Sequence, residues 1–357
     1  MTIERLYFDH AAATPLHPEA RAAVTAAFDC WANPNSPYAE ARGCHKILED
    51  ARRTIKRKLN WDHDLLFTSG ASEAIALAAR NARVPRRIFG ATEHDVVPAN
   101  FGNDAVKLPV DRDGIVDMDT LADALDGDPA LVGVQLVNNE TGVIQPIDAI
   151  RDAVHAAGSL LLCDAAQAGG KIALPDADMI AISAHKLGGP PGIGALLVKD
   201  LAMLEPVGGQ EKGYRRGTQN VPAAAGFAAA LEAGRYFEAM PRHEALRQRL
   251  ENAVKERGGV IIAETAPRIP TIGGIAFPGT KAPTLLVQLD LAGVAVSAGS
   301  ACSSGAMKGS RVVGEMGLES QIHEAFVRVS FGPDTGEADI DELLVRLDNI
   351  LKRARAA

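Results

Sequence analysis

The sequence predicts an α/β protein with a largely parallel sheet, followed by a smaller α+β region. Between residues 64 and 199, short apolar runs of strand length are separated at several points by segments with helical periodicity. Strands separated by helices form parallel sheets whose ligand sites lie at the carboxyl ends of the strands. The runs begin at residues 65, 86, 131, 159, 179 and 192: LLFTSG, RRIFGATEH, LVGVQLVNNETG, SLLLCDAAQAGG, MIAISAHK and GIGALLVK.

The second region begins with a long Ala-rich helical pattern that we expect to break near Pro241. Strand-like TIGGIAF and FVRVSFG then alternate with helical APTLLVQLDLAG and GEADIDELLVRLDNILKRARA. We therefore predict a large domain over residues 14–235 and a small domain formed by residues 1–13 and 236–357.

The composition excludes several classes of protein. The chain has 357 residues, 47% of them hydrophobic and 23% charged, and a net charge of -8, which argues against a general binder of nucleic acids or acidic membranes. No apolar run is long enough to span a bilayer, and the N-terminal MTIERLYFDH carries charges where a signal peptide needs its apolar core. We expect a cytoplasmic protein.

Polar residues at the strand ends match the needs of pyridoxal phosphate. Lys186 ends an apolar strand, and burial lowers the pKa of a lysine amine toward the neutral form that a Schiff base requires. Asp164 ends another strand, where it would suit a protonated pyridine nitrogen, and Gln167 could donate to the phenolic oxygen of the ring if the chain turns there into a helix. Taken singly, Lys186 could be a surface lysine and Asp164 a helix N-cap.

The stretch FTSGASEAI predicts a phosphate site. A strand, a glycine turn and a helix start bring backbone N–H groups together with the hydroxyls of Ser69 and Ser72. A simple helix cap is the alternative. His94 follows another strand, where it could act in catalysis by stacking on a ring and relaying protons unless it is structural, and Asn139 follows a third.

Taken in order, TSGASE, TEH, VNNETG, CDAAQ, SAHK, RRGTQN and SAGSACSS resemble the group I cysteine desulfurases, within the class V aminotransferase family. The resemblance covers nearly the whole chain and implies the fold type I of pyridoxal-phosphate-dependent transferases. It also implies a homodimer in which Thr218 reaches the phosphate of the neighbouring subunit's cofactor. The roles that it implies are Schiff-base lysine for Lys186, pyridine partner for Asp164, ring stacking for His94, phenolic-oxygen or substrate contacts for Gln167 and Asn139, and phosphate contacts for Ala71, Ser72, Ser183 and His185.

The stretch VSAGSACSSGAMKGS contains few bulky residues and predicts a mobile loop with Cys302 at its centre. A thiolate there could act as a nucleophile, formed by a local pKa shift or by proton transfer to a nearby base. Cys163, Cys30 and Cys44 are each interpreted as small buried residues. No C-x-x-C pair occurs, so we predict neither a disulfide framework nor a metal site.

The resemblance implies that L-cysteine is converted to L-alanine and that Cys302 accepts the sulfur as a persulfide. Arg328 matches a clamp for the substrate carboxylate, although without context it could be an ordinary surface arginine. Two features depart from the family: Tyr38 stands where a histidine is expected, and the sequence ends with LLVRLDNILKRARAA where the family commonly has a longer tail. The sulfur acceptor, an iron–sulfur scaffold protein or another carrier, is therefore left open.

Three other functions are compatible with parts of the sequence. A transaminase or selenocysteine lyase would use the same cofactor, but a transaminase would not need Cys302. A sulfur-relay partner with low turnover would not need Lys186 with Asp164. A nucleotide binder built on GGPPGIG is the weakest alternative, because that run precedes a strand and not the helix that a phosphate fingerprint requires.

Overall fold

The structure is a computed structural model that describes residues 5–299 and 309–356. Its helices are α1 (Pro18–Ala27), α2 (Ala39–Lys58), α3 (Ala71–Asn81), α4 (Val96–Phe101), α5 (Met118–Ala124), α6 (Ile147–Ala156), α7 (Val221–Ala233), α8 (Arg235–Glu256), α9 (Ala282–Leu291), α10 (Arg311–Glu315), α11 (Ser320–Ala325) and α12 (Glu337–Ala356). Its strands are β1 (Leu6–Tyr7), β2 (Asp64–Thr68), β3 (Arg86–Gly90), β4 (Val106–Leu108), β5 (Ala130–Gln135), β6 (Leu160–Asp164), β7 (Met179–Ser183), β8 (Gly194–Val198), β9 (Val260–Ile261), β10 (Ile272–Ala276), β11 (Val294–Ala295) and β12 (Phe326–Ser330).

Seven of these strands form the main sheet, in the order β2-β8-β7-β6-β5-β3-β4. Strands β7, β6, β5, β3 and β4 are parallel, whereas β8 is antiparallel to both of its neighbours. The predicted α/β class with a mainly parallel, mixed sheet is confirmed. Strand β8 reverses because the connection from β7, residues 184–193, is too short to include a crossover helix.

Helices cover both faces of this sheet. Helices α3 and α4 pack on one face, against side chains such as Leu66 and Leu162. Helices α1, α2, α5, α6 and α7 pack on the other, against Phe67, Leu161 and Cys163. Because successive side chains of a strand point to opposite faces, a strand buried on both faces becomes a continuous apolar run. This explains the unbroken LLLC of β6.

A second hydrophobic core surrounds a small antiparallel sheet in the order β12-β10-β9. Strand β1 pairs in parallel with β11, which brings Leu6 and Phe8 from the start of the chain into this core. Helix α8 reaches both cores: Tyr236 packs in the main core, and Leu246 and Leu250 pack in the second.

The predicted helix break near Pro241 is wrong in position. The chain breaks at Gly234, which ends α7 in the left-handed conformation with φ 61°. Pro241 lies inside α8, where it cannot donate the usual backbone hydrogen bond. The helix continues because its buried face, including Ala239 and Leu246, is held by packing on both sides of the proline.

The interpretation of Cys30 and Cys44 as separate thiols is also wrong, because the two residues form a disulfide. Cys30 follows α1, and Cys44 lies early in α2, so the intervening turn brings their Cα atoms to 5.4 Å. Cys163 is a buried free thiol, as predicted. Among the described helices, none has the length and apolar character needed to cross a membrane.

Candidate active site

One cavity of about 370 Å³ lies at the carboxyl ends of the main-sheet strands and brings most of the candidate residues together. Asp164 ends β6, and Ser183 ends β7, so the sheet itself delivers these side chains to the cavity. A larger cavity of about 610 Å³, between residues 58–63 and 231–238, contains none of the candidates. The predicted residues that line the first cavity are Ala71, Ser72, His94, Asn139, Asp164, Gln167, Ser183, His185, Lys186 and Arg328.

Lys186 is held by the N-terminal segment of the chain. It ends a short 3-10 turn after β7, and its Nζ donates to the backbone oxygens of Ala11 and Ala12, each at 2.7 Å. The amine therefore faces the cavity on a rigid turn and is not a surface lysine. The sequence pattern gave no role to residues 9–14, because this contact joins residues about 175 positions apart.

Asp164 is a partly buried carboxylate that lines the cavity. Burial raises the pKa of Asp164, while the N–H of Ala166, His94 and Lys186 act in the opposite direction. Its Oδ1 accepts from Ala166 at 2.9 Å, and the residues that follow form turns and not an α-helix. The N-cap alternative is therefore wrong. A partly buried carboxylate of this kind favours a cation placed beside it.

Glu93 and His94 lie on the turn after β3. Glu93 is buried, its Oε1 accepts from the backbone N–H of Gln135 at 3.0 Å, and its Oε2 has no partner. Burial raises the pKa of Glu93 well above its ordinary value, and nearby Asp164 raises it further. His94 Nδ1 accepts from Val96 N at 3.3 Å, which places the proton of the neutral ring on Nε2.

Gln167 contacts the same N-terminal segment. Its Nε2 donates to the backbone oxygen of Ala11 at 2.9 Å. Its Oε1 is buried in the protein and has no hydrogen-bond partner. Because buried polar atoms are nearly always paired, this side chain indicates that the cavity is built for a ligand with polar groups.

The predicted phosphate end is a strand, turn and helix start. Gly70 separates β2 from α3, whose first N–H groups have no partner within the helix. Ser183 Oγ and His185 Nδ1 are 2.7 Å apart. Burial, with Lys186 and Lys171 nearby, lowers the pKa of His185 to about 4, so the ring is neutral at pH 7.

One backbone N–H group of the predicted phosphate site is already hydrogen-bonded within the protein. The backbone N–H of Ser69 donates to the carboxylate of Glu73, and that carboxylate is paired with Arg215 Nε at 2.8 Å. Arg215 belongs to the RRGTQN motif, so the motif lies beside the start of α3 within one chain. The N–H groups of Ala71 and Ser72, at the start of α3, are still available to an anion.

Arg328 is buried and paired, so the surface-arginine alternative is wrong. Its side chain is 2% exposed; Nη2 donates to Asp9 Oδ1 at 2.7 Å and Nη1 to the backbone oxygen of Asn139 at 2.9 Å. A guanidinium has five N–H groups, and these two contacts leave others for a ligand. The buried Nε has no partner.

Two of the residues singled out in the sequence lie outside this cavity, and the structure does not describe a third. Cys302 is outside the described residues, as is most of the loop predicted around it. Thr218 is exposed and does not line the cavity of the single chain. Tyr38 precedes α2 and is 45% exposed.

Lys171 is a further buried cation near the site, and the sequence patterns did not single it out. It is 2% exposed and lies with Nζ 4.6 Å from the centre of the Tyr236 ring. Burial, with Lys186 and Arg328 nearby, lowers the pKa of Lys171 to about 7. Its position four residues after Gln167, directly after two glycines, was the available sequence signal.

The fold and the cavity together define the class of protein. A mainly parallel sheet that presents a lysine, a partly buried carboxylate and a helix start at its strand ends is the arrangement of the fold type I pyridoxal phosphate enzymes. The sequence profile of the aminotransferase class-V family matches residues 6–343, and the chain belongs to this family.

Relatives and solved structures give a finer comparison. The chain is 34% identical to a cysteine desulfurase of Cereibacter sphaeroides, over 99% of this chain and 97% of that one. It is 33% identical to cysteine desulfurase IscS 1 of Archaeoglobus fulgidus, over 98% of both. Among solved structures, a NifS-like protein from Rickettsia africae ESF-5 superposes with a TM-score of 0.89 at 27% identity, covering 98% of this chain and 100% of that one.

The cofactor of this family is pyridoxal 5'-phosphate, and the cavity fits it. The N–H groups at the start of α3 suit an anionic phosphate, and Asp164 suits a protonated ring nitrogen. Gln167 Oε1 is a buried polar atom that lacks a partner within the protein. Lys186 Nζ lies in the same cavity, so an aldehyde bound there would meet an amine.

Proposed function

We propose that this chain is a cysteine desulfurase that converts L-cysteine to L-alanine and leaves the sulfur on Cys302 as a persulfide. The observation that carries the proposal is that Lys186, Asp164 and Arg328 line one cavity in a chain whose full-length relatives are cysteine desulfurases. The amine, the ring partner and the carboxylate clamp that the reaction needs therefore lie within reach of one small substrate.

Pyridoxal phosphate, when bound, supplies an aldehyde for the substrate amine and a ring that draws electrons away from the α-carbon. Lys186 is the group that would remove the α-proton, because its amine lies in the cavity where the substrate would bind. Asp164 would favour a positive charge on the ring nitrogen, and His94 lines the same cavity, where it would stack on the ring.

Arg328 and Asn139 hold the substrate. Arg328 is fixed by Asp9 and by the backbone of Asn139, so its remaining N–H groups are aimed without rotational freedom. A planar guanidinium binds a carboxylate through two parallel hydrogen bonds, which orients the amino acid. Holding the substrate in this way places its α-proton toward Lys186.

Cys302 is the sulfur acceptor in this proposal. Its thiolate attacks the sulfur of the substrate, an S–S bond forms, and the bond between that sulfur and the substrate carbon breaks. The carbon receives a proton and becomes the methyl group of alanine, while the sulfur pair stays on the enzyme. The sum is L-cysteine plus enzyme thiol giving L-alanine plus enzyme persulfide, so no external oxidant or reductant is needed.

The proposal extends to assembly. We propose a homodimer in which Thr218 of one chain contacts the cofactor phosphate of the other, and this is supported by the exposure of Thr218 outside its own cavity. An acceptor protein would then collect the sulfur from Cys302. A division into a large domain over residues 14–235 and a small domain around it, and a cytoplasmic location, belong to the same proposal.

The test is product analysis with L-cysteine as the sole amino acid. The holoenzyme with a thiol reductant should release alanine and sulfide in equal amounts, with no need for a keto acid. Lys186→Ala should release neither. A protein that needs an α-keto acid and returns a new amino acid would be a transaminase, and that result would refute the proposal.

A further inference from the structure

Both described flanks of the segment that carries Cys302 lie against Glu140. Glu140 is 4% exposed, and its Oε2 accepts a hydrogen bond from Ser310 Oγ at 2.5 Å. Gly299 approaches the same carboxylate from the other flank, since a methyl group built on its Cα would lie 3.7 Å from Oε2. One buried side chain therefore accepts a hydrogen bond from Ser310 on one side of residues 300–308 and lies near Gly299 on the other.

The Ser310 hydroxyl accepts one hydrogen bond and donates another. Its oxygen accepts the backbone N–H of Val313 at 3.0 Å, which caps the first turn of α10. Its single proton therefore goes to Glu140 Oε2. Hydrogen bonds of this length to a carboxylate are among the stronger ones in proteins, so Glu140 holds both Ser310 and the start of α10.

Glu140 itself is held by the turn that positions Arg328. Asn138 Oδ1 accepts the backbone N–H groups of Glu140 and Thr141, both at 2.9 Å. The backbone oxygen of Asn139, which lies between Asn138 and Glu140, accepts from Arg328 Nη1 at 2.9 Å. The proposed substrate clamp and the contact to Ser310 thus depend on adjacent residues of one turn.

The two flanks are tied to the site at further points. On the first flank, Ser297 Oγ donates to Asp9 Oδ2 at 2.8 Å, and Asp9 is the ion-pair partner of Arg328. On the second flank, Arg311 donates to the backbone oxygens of Ala91 and Glu93, next to His94. The ends of the segment are therefore fixed relative to both the substrate clamp and the ring-stacking histidine.

We propose that Glu140 is a positioning residue for sulfur transfer: through Ser310 it fixes the second flank of the segment that carries Cys302 relative to Arg328. Glu140 acts through its hydrogen bond to Ser310 and not by contact with the substrate. The inference rests on the proposed function, because the step that it serves is the attack of Cys302 on the substrate sulfur.

The experiment compares Glu140→Ala with Glu140→Gln and with a matched control, Glu315→Ala. Glu315 lies on α10 and pairs with Lys107 at 2.9 Å, away from the site. For each holoenzyme, rapid quenching and mass spectrometry give the rate of persulfide formation on Cys302 after mixing with L-cysteine. Cofactor absorbance and the KM for L-cysteine are measured alongside, and hydrogen exchange of the 309–316 peptide is followed in cofactor-free protein.

Glu140→Ala should slow persulfide formation by about ten- to a hundredfold, the loss expected for one hydrogen bond to a charged group, with cofactor content and KM unchanged. Exchange of the Val313 amide should become about tenfold faster, because its acceptor Ser310 is no longer held in place. Glu140→Gln keeps an acceptor for Ser310 and should stay within about threefold of the wild type. Glu315→Ala should match the wild type.

Ser310→Ala provides a second test of the same hydrogen bond in case Glu140→Ala does not fold. It leaves Glu140 in place, removes the same hydrogen bond and should slow persulfide formation by a similar factor. Normal persulfide formation by Ser310→Ala, or an equal loss of cofactor and persulfide in both Glu140 variants, would overturn the proposal. If the wild type forms no persulfide from L-cysteine, the proposed function fails, and unchanged exchange in Glu140→Ala would refute the anchoring contact separately.

Discussion

Arg328 Nη2 lies 2.7 Å from Asp9 Oδ1, and this pair links the start of the chain to its last strand. Two residues further on, the backbone oxygens of Ala11 and Ala12 accept from Lys186 Nζ. One segment of the N-terminus therefore orients both the group that would bind the substrate carboxylate and the amine that would act on its α-carbon. Asp9 is a positioning residue for Arg328.

Asp9→Asn should weaken substrate binding more than it slows turnover. The amide can still accept from Ser297 but no longer pairs with the charge of Arg328, so the guanidinium loses its fixed direction. We expect the KM for L-cysteine to rise about tenfold, with kcat within a few-fold of the wild type. Asp117→Asn, at the exposed start of α5, is the control. An unchanged KM would show that Asp9 does not orient Arg328.

Asp164→Asn should separate activity from stability. A carboxylate with a raised pKa is costly in the folded protein at pH 7, whereas the unfolded chain ionises it freely. The neutral amide removes that cost, so we expect cofactor-free Asp164→Asn to melt no lower than the wild type. Alanine production should fall by at least about a hundredfold, because the ring nitrogen loses its partner.

Asp178→Asn is the matched control for Asp164→Asn. Asp178 Oδ2 accepts from the Leu161 amide at 2.8 Å and from His155 Nε2 at 2.9 Å, outside the cavity. This variant should lose stability and keep its activity. An Asp164→Asn variant that loses stability but remains active would contradict the role given to Asp164.

The strand ends could be predicted from the sequence because their chemistry is local. Asp164 ends an apolar run and Lys186 lies three residues beyond another, and a parallel sheet must bring such residues to one edge. Asp9 could not be found in this way, because its partner Arg328 is 319 residues away and the contact depends on how strands β1 and β12 pack. Strand order and pairing are set by the whole core and not by any one segment.

Two local predictions were wrong for a similar reason. A helix break at a proline is predicted from residue type alone, yet Pro241 is tolerated within α8 because tertiary packing holds the helix on both sides of it. Cys30 and Cys44 share no recognisable spacing, and only the turn between α1 and α2 brings them together. The burial of Arg328, which distinguishes it from ordinary surface arginines, likewise could not be recognised before the fold was known.

Mixing two inactive variants tests whether the active site is shared between subunits. Lys186→Ala lacks the amine, and Thr218→Tyr should block the phosphate contact across the interface. If each site takes Lys186 from one chain and Thr218 from the other, a mixed dimer has one intact site. Joint refolding of equal amounts should restore about a quarter of wild-type activity. Full activity of Thr218→Tyr without its partner variant would exclude the shared site. A fully active protein that sediments as a monomer would exclude it as well.

His243 should make folding stability depend on pH. Its Nε2 donates to the Gly332 oxygen at 2.8 Å, its Nδ1 is buried without a partner, and burial lowers its pKa to about 4. Between about pH 6.5 and 4 the unfolded chain binds a proton that the folded chain does not, so this group destabilises the folded state as the pH falls. Above about pH 6.5 the effect is absent.

The comparison variant is His243→Gln, whose amide can still donate to Gly332. Urea titrations at about pH 8 and pH 5 give the free energy of unfolding of both proteins. We expect the wild type to lose about 1–2 kcal/mol relative to the variant on going to the lower pH. A difference that stays constant between the two pH values would mean that the buried ring titrates normally.

The location of the sulfur after a single turnover tests the proposed mechanism most directly. The wild-type holoenzyme is mixed briefly with L-cysteine, alkylated and digested. Mass spectrometry then gives the masses of the peptides that carry Cys302, Cys163, Cys30 and Cys44. We expect one added sulfur on the Cys302 peptide and none on the others, with Cys30 and Cys44 joined as a disulfide. Cys302→Ser should retain the cofactor and its spectral response to L-cysteine but lose alanine production by several orders of magnitude, because a serine hydroxyl cannot accept the sulfur. Sulfur found mainly on another cysteine, or near-normal alanine release by Cys302→Ser, would contradict the mechanism.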